Sequence, residues 1–153
     1  MTLNEIENGI LRSNRASAGT LFLTPFSEGD PRLKMILPEA DARIHFALNC
    51  GAKSCPSLRV YDGKDVQNQL SVATKEYLES NEALIVDAAN NSVKLSKLLD
   101  WYEVDFGQND GQVLRWVLNN MEDSKKKEKL QRVLRKGGFQ VSHLDYNWGH
   151  NGI

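Results

Sequence analysis

Residues 83–95 read ALIVDAANNSVKL and indicate the fold more clearly than any other part of the chain. Residues 83–88 begin with an apolar run, and polar and apolar positions alternate over 92–95, on the other side of Asn90-Asn91. Asparagine tolerates the left-handed backbone conformation that hairpin turns need. We therefore expect a β-hairpin with its turn at Asn90-Asn91.

Helix signals follow this hairpin directly. Ser96 can cap a helix that runs to Phe106, and Gly107 is placed to end it. Apolar side chains at a spacing of four residues give that helix one apolar face. The same kinds of signal predict helices near 111–121 and 125–136 and a final strand over 139–146.

The chain before the hairpin carries both kinds of signal as well. Thr2 and Glu5 have the spacing of a capping box, and the apolar residues after them predict an amphipathic helix over 3–12. Residues 44–50, IHFALNC, are mostly apolar and end at Gly51, which predicts a strand. The remaining predictions are a helix beginning at 62–65 and short extended pieces at 20–23 and 33–37.

Helices and strands therefore interleave along the sequence, which is typical of an α/β or α+β fold. A chain of 153 residues has the length of one ordinary domain, so we expect a single domain over 1–153. In it, a modest sheet containing 44–50 and 139–146 is packed by several amphipathic helices.

Composition limits the classes of function. Hydrophobic residues make up 41% and charged residues 25%, which excludes wholesale disorder. A formal net charge of −1 gives no strong attraction to nucleic acid or to an acidic membrane surface, so neither is expected as a partner. The longest apolar runs, such as 83–86, are far shorter than the roughly 18 residues that a membrane helix needs.

The sequence also predicts a location. The first residues, MTLNEIENG, have neither the basic nor the apolar region of a signal peptide. Two cysteines do not suffice for the disulfide scaffold of a small secreted domain. We therefore expect an intracellular, cytoplasmic protein.

One segment, residues 41–59, gathers the residue types that carry chemistry. It reads DARIHFALNCGAKSCPSLR and holds both cysteines and one of the three histidines. On a regular strand Arg43, His45 and Asn49 would share one face, as side chains that line a cleft do. An ordinary solvated sheet face has the same pattern.

A thiol site is the first hypothesis for this segment. Cysteine is nucleophilic as the thiolate, and a nearby cation lowers its pKa. Cys55 and Cys50 would supply the thiols, with His45 as base or charge partner. Arg43 would bind an anionic group or hold the loop, and Lys53 is another local cation. Asn49 and Ser54 would supply hydrogen bonds, including donation to an oxyanion.

Other interpretations of the segment remain open. Four residues separate Cys50 from Cys55, and they can form a turn that permits a reversible disulfide. Zinc bound by Cys50, Cys55 and His45 is a minor possibility; no cofactor is predicted otherwise. Buried cysteines also occur as inert small hydrophobic residues, and a lone histidine beside them is often structural.

The segment also resembles a known family. The string RIHFALNCGAKSCP at 43–56 is similar to the signature of the domain of unknown function 547 family. The resemblance extends to NEIENGILR at 4–12, LSKLLDWYEVDFG at 95–107 and LDYNWGHN at 144–151. Members usually carry an earlier helix rich in tryptophan, asparagine and tyrosine, which this sequence lacks, so the chain resembles the C-terminal portion of the family domain.

The resemblance implies site residues but no reaction, because the family has no established activity. Asn147 stands where the family usually has aspartate, which puts a Cys-His-Asp arrangement in doubt, although asparagine can orient an imidazole. Eukaryotic members are often parts of larger proteins, some with glutaredoxin-like or DEP-like domains. The family pattern corresponds here to Arg43, His45, Asn49, Cys50, Ser54, Cys55, Pro56 and Trp148.

The sequence therefore supports two alternative functions. The first is a cysteine and histidine thiol site of redox or acyl-transfer type on the H-x4-C-x4-C segment, with Asn147 and Trp148 as binding residues beside it. The alternative is a non-catalytic interaction or regulatory module. Its partner would be an unidentified protein or another domain of the same chain.

Overall fold

A computed structural model describes residues 1–17 and 23–152 of the chain. The chain forms two compact units, Met1–Ile44 and His45–Ile153. The prediction of one domain over 1–153 stays a prediction.

The first unit begins with the predicted helix. Thr2 and Glu5 form the capping box: the Thr2 N–H donates to Glu5 Oε2 over 2.7 Å, and the Glu5 N–H donates to Thr2 Oγ1 over 3.2 Å. The segment Glu5–Leu11 that follows has π-helical geometry. The helix predicted over 3–12 is therefore confirmed, but its predicted apolar face is not buried as a whole: Leu3 and Ile6 are exposed, and the buried residues of Glu5–Leu11 are Asn8 and Gly9.

Buried polar side chains and one aromatic ring organise the rest of this unit. The guanidinium of Arg12, which is 1% exposed, donates to Asn8 Oδ1 over 2.6 Å and to the Ala16 carbonyl over 3.0 Å. The Asn14 side chain bonds both the N–H and the C=O of Phe26, each over 2.9 Å. These bonds satisfy groups whose burial without partners would be costly.

The close approach of Gly9 to Phe26 gives a testable prediction. A Cβ at Gly9 would lie 2.5 Å from Phe26 Cε2, on a ring that is 1% exposed. We expect Gly9→Ala to lower the free energy of unfolding by about 1–3 kcal/mol through overpacking. Denaturant unfolding measures this, with Gly63→Ala as the control because nothing lies within 4 Å of a Cβ there. Equal stability of the two variants would contradict the prediction.

Two extended pieces predicted in this unit have different outcomes. Residues 33–35 belong to the 3-10 helix Pro31–Met35, so the extended piece predicted over 33–37 is wrong there. Asp30 explains the difference, since its side chain accepts from the Arg32 N–H and Pro31 begins the helix. Most of the piece predicted over 20–23 lies outside the described residues.

The strand predicted over 44–50 is also wrong. The chain forms the 3-10 helix Ala42–Phe46 instead, and no strand follows it among the described residues up to Cys50. Ile44, His45 and Phe46 are consecutive and all buried, which alternating strand faces would not allow. The predicted polar strand face of Arg43, His45 and Asn49 therefore does not form.

The sheet lies in the second unit. It consists of β1 (Leu84–Asp87), β2 (Ser92–Leu95) and β3 (Gln140–His143), in that order. β1 and β2 are antiparallel and confirm the hairpin, and Asn91 has the positive φ, +52°, that its turn requires. β3 pairs with β2 in parallel and confirms the first part of the strand predicted over 139–146.

The helices of this unit also follow their sequence signals. The Ser96 hydroxyl accepts from the Leu98 N–H, and the predicted helix to Phe106 is interrupted at Tyr102. Gly107 ends it as predicted. The helices are α1 (Val66–Glu79), α2 (Lys97–Trp101), α3 (Glu103–Phe106), α4 (Asp110–Asn120) and α5 (Lys125–Lys136).

A mixed sheet packed by helices makes the fold α+β, in agreement with the predicted class. α4 packs against both α1 and α5, and α5 packs against β1. In residues 1–17 and 23–152, no helix has the length and apolar character needed to cross a membrane. The core side chains of these elements with at most 1% exposure are Leu78, Leu84, Val93, Leu95, Leu99, Leu114, Val117, Leu130 and Val133.

Candidate thiol site

The loop from Asn49 to Pro56 holds the two cysteines, and Asn49 closes it. The Asn49 amide donates to the Pro56 carbonyl over 2.5 Å, and its Oδ1 accepts from the Gly51 N–H over 2.7 Å. Gly51 has φ +81°, a backbone conformation that residues other than glycine rarely adopt. Asn49 therefore fixes the loop from within.

This loop brings the two thiols into contact. Cys50 Sγ and Cys55 Sγ lie 3.0 Å apart, and the Cys50 N–H donates to Cys55 Sγ over 3.3 Å. Both cysteines are free, Cys50 exposed and Cys55 half-buried. The separation is longer than the roughly 2.05 Å of a disulfide bond, so the two sulfur atoms are in contact but not bonded.

Tyr146 provides a hydroxyl to both sulfur atoms. Its oxygen lies 3.3 Å from Cys55 Sγ and 3.7 Å from Cys50 Sγ. Burial raises the pKa of the Tyr146 hydroxyl, and the two thiols raise it further. The phenol therefore keeps its proton and can donate it in a hydrogen bond to a thiolate.

The pKa of Cys55 reflects these contacts. Burial opposes ionisation of the thiol, but hydrogen bonds from Cys50, Tyr146 and two backbone N–H groups outweigh it. Together they hold the pKa of Cys55 below its usual value. A larger fraction of Cys55 is thiolate at neutral pH than in a solvated cysteine, and the thiolate is the nucleophilic form.

Removing the Tyr146 hydroxyl should reduce this reactivity. Tyr146→Phe deletes one hydrogen bond worth about 1 kcal/mol to the thiolate, and the higher nucleophilicity of a more basic thiolate offsets about half of that loss. We expect alkylation of Cys55 near pH 7 to slow by about two- to threefold. Iodoacetamide labelling followed by mass spectrometry measures the rate at each cysteine.

Tyr61→Phe is the control for that measurement. The Tyr61 hydroxyl is buried and has no hydrogen-bond partner among the described residues, so its removal leaves the thiols untouched. A twofold or larger slowing in this control, or none in Tyr146→Phe, would contradict the role given to Tyr146.

Backbone pairing holds the segment that carries Tyr146 against the cysteine loop. The Lys53 N–H donates to the Gly149 carbonyl over 2.8 Å, and the Asn151 N–H donates to the Gly51 carbonyl over 2.7 Å. The Asn147 N–H donates to Ser54 Oγ over 3.0 Å. Asn147 thus reaches the loop through its backbone, while its Oδ1 accepts from the Gly149 N–H.

Trp148 lies in an aromatic cluster beside the thiols. Its ring stacks on Trp101 with centroids 5.6 Å apart and lies 4.6 Å from the ring of Tyr146. Trp101 also contacts Tyr146 at 4.9 Å. Trp148 is still 67% exposed, so the cluster orients Tyr146 and leaves one indole available to solvent.

Ser54 connects the loop to the core of the second unit. It is 3% exposed; its hydroxyl donates to Glu82 Oε2 over 2.9 Å, and its carbonyl accepts from the Tyr77 hydroxyl over 3.3 Å. Tyr77 also bonds Ser96 Oγ, and burial raises the pKa of Tyr77 to about 12. The hydrogen bonds of Ser54 are those of a residue that anchors the loop.

His45 has a buried carboxylate partner. Its Nε2 lies 2.7 Å from Asp105 Oδ2, and both side chains are 1% exposed. The imidazole also stacks on Tyr102, with centroids 4.0 Å apart. The described contacts therefore join His45 to α3, and they join the thiols to each other and to Tyr146.

Arg43 lies in the first unit and pairs there with Asp41, with Nη2 2.6 Å from Oδ2. Asp105 and Tyr146 were not among the predicted site residues. Both lie in the stretches 95–107 and 144–151, whose resemblance to the family was the available signal.

A cavity of about 200 Å³ opens beside the thiol loop. Its wall combines a cysteine, one cation, two carboxylates and an apolar floor. The lining residues are Phe46, Cys55, Ser57, Arg59, Ala73, Glu76, Tyr77, Ser80 and Glu82.

The arrangement of the His, Cys, Asp and Glu side chains bears on the predicted zinc site. In the described part of the chain, no three or more His, Cys, Asp or Glu side chains are grouped so that they could hold a metal ion. A zinc ion on Cys50, Cys55 and His45 stays a prediction without a ligand set to support it.

Comparison with known proteins assigns the family. The sequence profile described as protein of unknown function, DUF547, matches residues 1–78, which include the thiol loop. No curated protein and no solved structure gives a match. The resemblances at 95–107 and 144–151 lie beyond the matched residues and stay interpretations. Because the match covers half of the sequence, the chain belongs to the DUF547 family.

Proposed function

We propose that Cys50 and Cys55 form a reversible dithiol–disulfide site. The observation that carries the proposal is the 3.0 Å contact between the two Sγ atoms, one exposed and one half-buried. A thiol pair held at this distance needs little loop movement to close into a disulfide. The redox alternative is favoured over acyl transfer because the partners described for Cys55 are a thiol and a phenol.

The chemistry is thiol–disulfide exchange. The Cys55 thiolate attacks one sulfur of an external disulfide, which forms a mixed disulfide and releases one thiolate. Cys50 then loses its proton to solvent and attacks Cys55 Sγ, which releases the second thiolate. The chain gives two electrons to the external disulfide and ends with a Cys50–Cys55 bond; the reverse reaction restores the dithiol.

Each neighbouring residue has a role in this scheme. Tyr146 stabilises the Cys55 thiolate by donating a hydrogen bond, and Asn49 keeps the loop closed around the pair. Ser54 anchors the loop to the core. His45 acts as a positioning residue through its pair with Asp105, and Trp148 packs on Tyr146.

The test is a redox titration of the whole chain in dithiothreitol buffers, with trapped thiols counted by mass spectrometry. We expect a single transition between a dithiol and an intramolecular disulfide. The alkylation rate of reduced Cys55 should rise with pH and level off at a lower pH than the alkylation rate of the same cysteine in the denatured chain. Failure of the disulfide to form, or resistance of both thiols until denaturation, would contradict the proposal.

An interaction module remains the second candidate, because apolar side chains are exposed just after the loop. Leu58 is 82% exposed and Val60 is 97% exposed. Exposed apolar side chains of this kind can pack against a partner protein or another domain. Thiols that fail the redox titration in a folded chain would favour this alternative.

A further inference from the structure

We infer that the cavity beside Cys55 selects small disulfides that carry a cationic amine next to the reacting sulfur. The inference rests on the proposed dithiol site and specifies the class of its substrate.

The cavity lies where a group that becomes bonded to Cys55 would be placed. Cys55 lies on its wall together with Ser57, Arg59, Glu76 and Glu82. A substituent of an external disulfide that enters the cavity is therefore beside the thiol that attacks. Phe46, Ala73 and Tyr77 provide the apolar floor on which a short methylene chain can pack.

The charges of the cavity favour a cation. Arg59 and Glu76 form an ion pair with each other, so their charges offset one another. In the described part of the chain no ion pair involves Glu82, whose Oε2 accepts from the Ser54 hydroxyl. The Glu82 carboxylate is therefore left without a cationic partner on the cavity wall, and the ammonium group of an incoming substrate can become that partner.

The volume limits the size of the substituent. A cavity of about 200 Å³ is smaller than the roughly 300–1,000 Å³ of sites for drug-sized ligands. An aminoethyl-sized group fits such a space better than a folded peptide does. The expected substrate is therefore a low-molecular-mass aminothiol in its disulfide form.

The test compares three symmetric disulfides of similar size at equal concentration: cystamine, hydroxyethyl disulfide and dithiodiglycolate. These carry cationic, neutral and anionic ends. The rate of chain oxidation is read by mass spectrometry. We expect the order cationic, neutral, anionic, with cystamine about tenfold faster than dithiodiglycolate at low salt and the ratio reduced at high salt.

Two variants move this ratio in opposite directions. Glu82→Gln keeps an acceptor for Ser54 but removes the unpaired charge, and it should lower the cystamine-to-dithiodiglycolate ratio by about threefold. Arg59→Gln leaves Glu76 without its cation and should raise the ratio by a similar factor. Glu128→Gln, on α5 away from the cavity wall, is the control of equal charge change and should leave the ratio unchanged.

The outcomes separate the inference from the proposed function. Oxidation by all three disulfides, with a ratio that Glu82→Gln and Glu128→Gln alter equally, overturns the inference and leaves the dithiol site standing. Oxidation by none of them overturns both. A damaged fold does not imitate the expected result, because no general loss of structure raises the ratio in one variant and lowers it in another.

Discussion

Asp105→Ala is expected to lower the free energy of unfolding by about 3 kcal/mol. Asp105 and His45 lie 2.7 Å apart and each side chain is 1% exposed. Removing the carboxylate leaves the Nε2 of a buried imidazole without this partner, and water does not reach it. The free-energy cost of removing the imidazole from water is then no longer offset by its bond to the Asp105 carboxylate.

Denaturant unfolding of the whole chain measures this effect, with two comparisons. Asp105→Asn keeps an oxygen at the same place, so it should recover part of the loss. Asp123→Ala removes a carboxylate that is 99% exposed and paired with Lys127, and it should cost less than about 1 kcal/mol. Equal costs for Asp105→Ala and Asp123→Ala would mean that the buried pair contributes no more than a surface pair.

The same substitution separates positioning from chemistry for His45. If His45 acts only by packing against α3 through its pair with Asp105, Asp105→Ala lowers stability but leaves the pH profile of Cys55 alkylation in place. If His45 exchanges protons with the thiols, the profile shifts as well. The redox scheme expects the first result, because the thiols have Tyr146 as their partner.

The elements that the sequence predicted correctly are those whose signals are local. The Thr2–Glu5 capping box, the Ser96 cap and the Asn91 turn each depend on residues at most a few positions apart. Backbone and side chain then satisfy one another within the segment, whatever the rest of the chain does. A short sequence is enough to specify such a feature.

The failed strand over 44–50 shows the opposite case. A short apolar run is equally compatible with a buried strand and a buried helical turn, and periodicity does not separate them. Asp41 favours the helical turn locally, since its Oδ1 accepts from the Arg43 N–H as the 3-10 helix begins. Burial of Ile44, His45 and Phe46 on consecutive positions then depends on packing that the sequence does not display.

The same distinction applies to the thiol site: contacts between residues close in sequence could be predicted, and contacts between distant residues could not. Cys50 and Cys55 are close in sequence, and the loop between them brings their sulfur atoms together. Tyr146 lies 91 residues beyond Cys55, and Asp105 lies 60 residues beyond His45. No spacing rule connects residues that far apart, so the partners of the thiols and of the imidazole emerge only from the tertiary structure.

Cys50→Ser is expected to abolish the intramolecular disulfide while leaving Cys55 reactive. Without the resolving thiol, exchange with an external disulfide stops at the mixed disulfide on Cys55. The reaction then releases one equivalent of small thiol, where the unaltered chain releases two. Both the stoichiometry and the mass of the trapped adduct report this, and neither depends on knowing the natural substrate.

Cys55→Ser is the matched variant and should behave differently, because the thiol with the lowered pKa is gone. Cys50 is the more exposed of the two, so access alone would make it the faster to react. The lowered pKa of Cys55 predicts the reverse near pH 7: mixed-disulfide formation should be slower in Cys55→Ser than in Cys50→Ser. A faster reaction at Cys50 would give it the attacking role and make Cys55 the resolving thiol. A Cys50→Ser variant that still released two equivalents would remove the dithiol mechanism altogether.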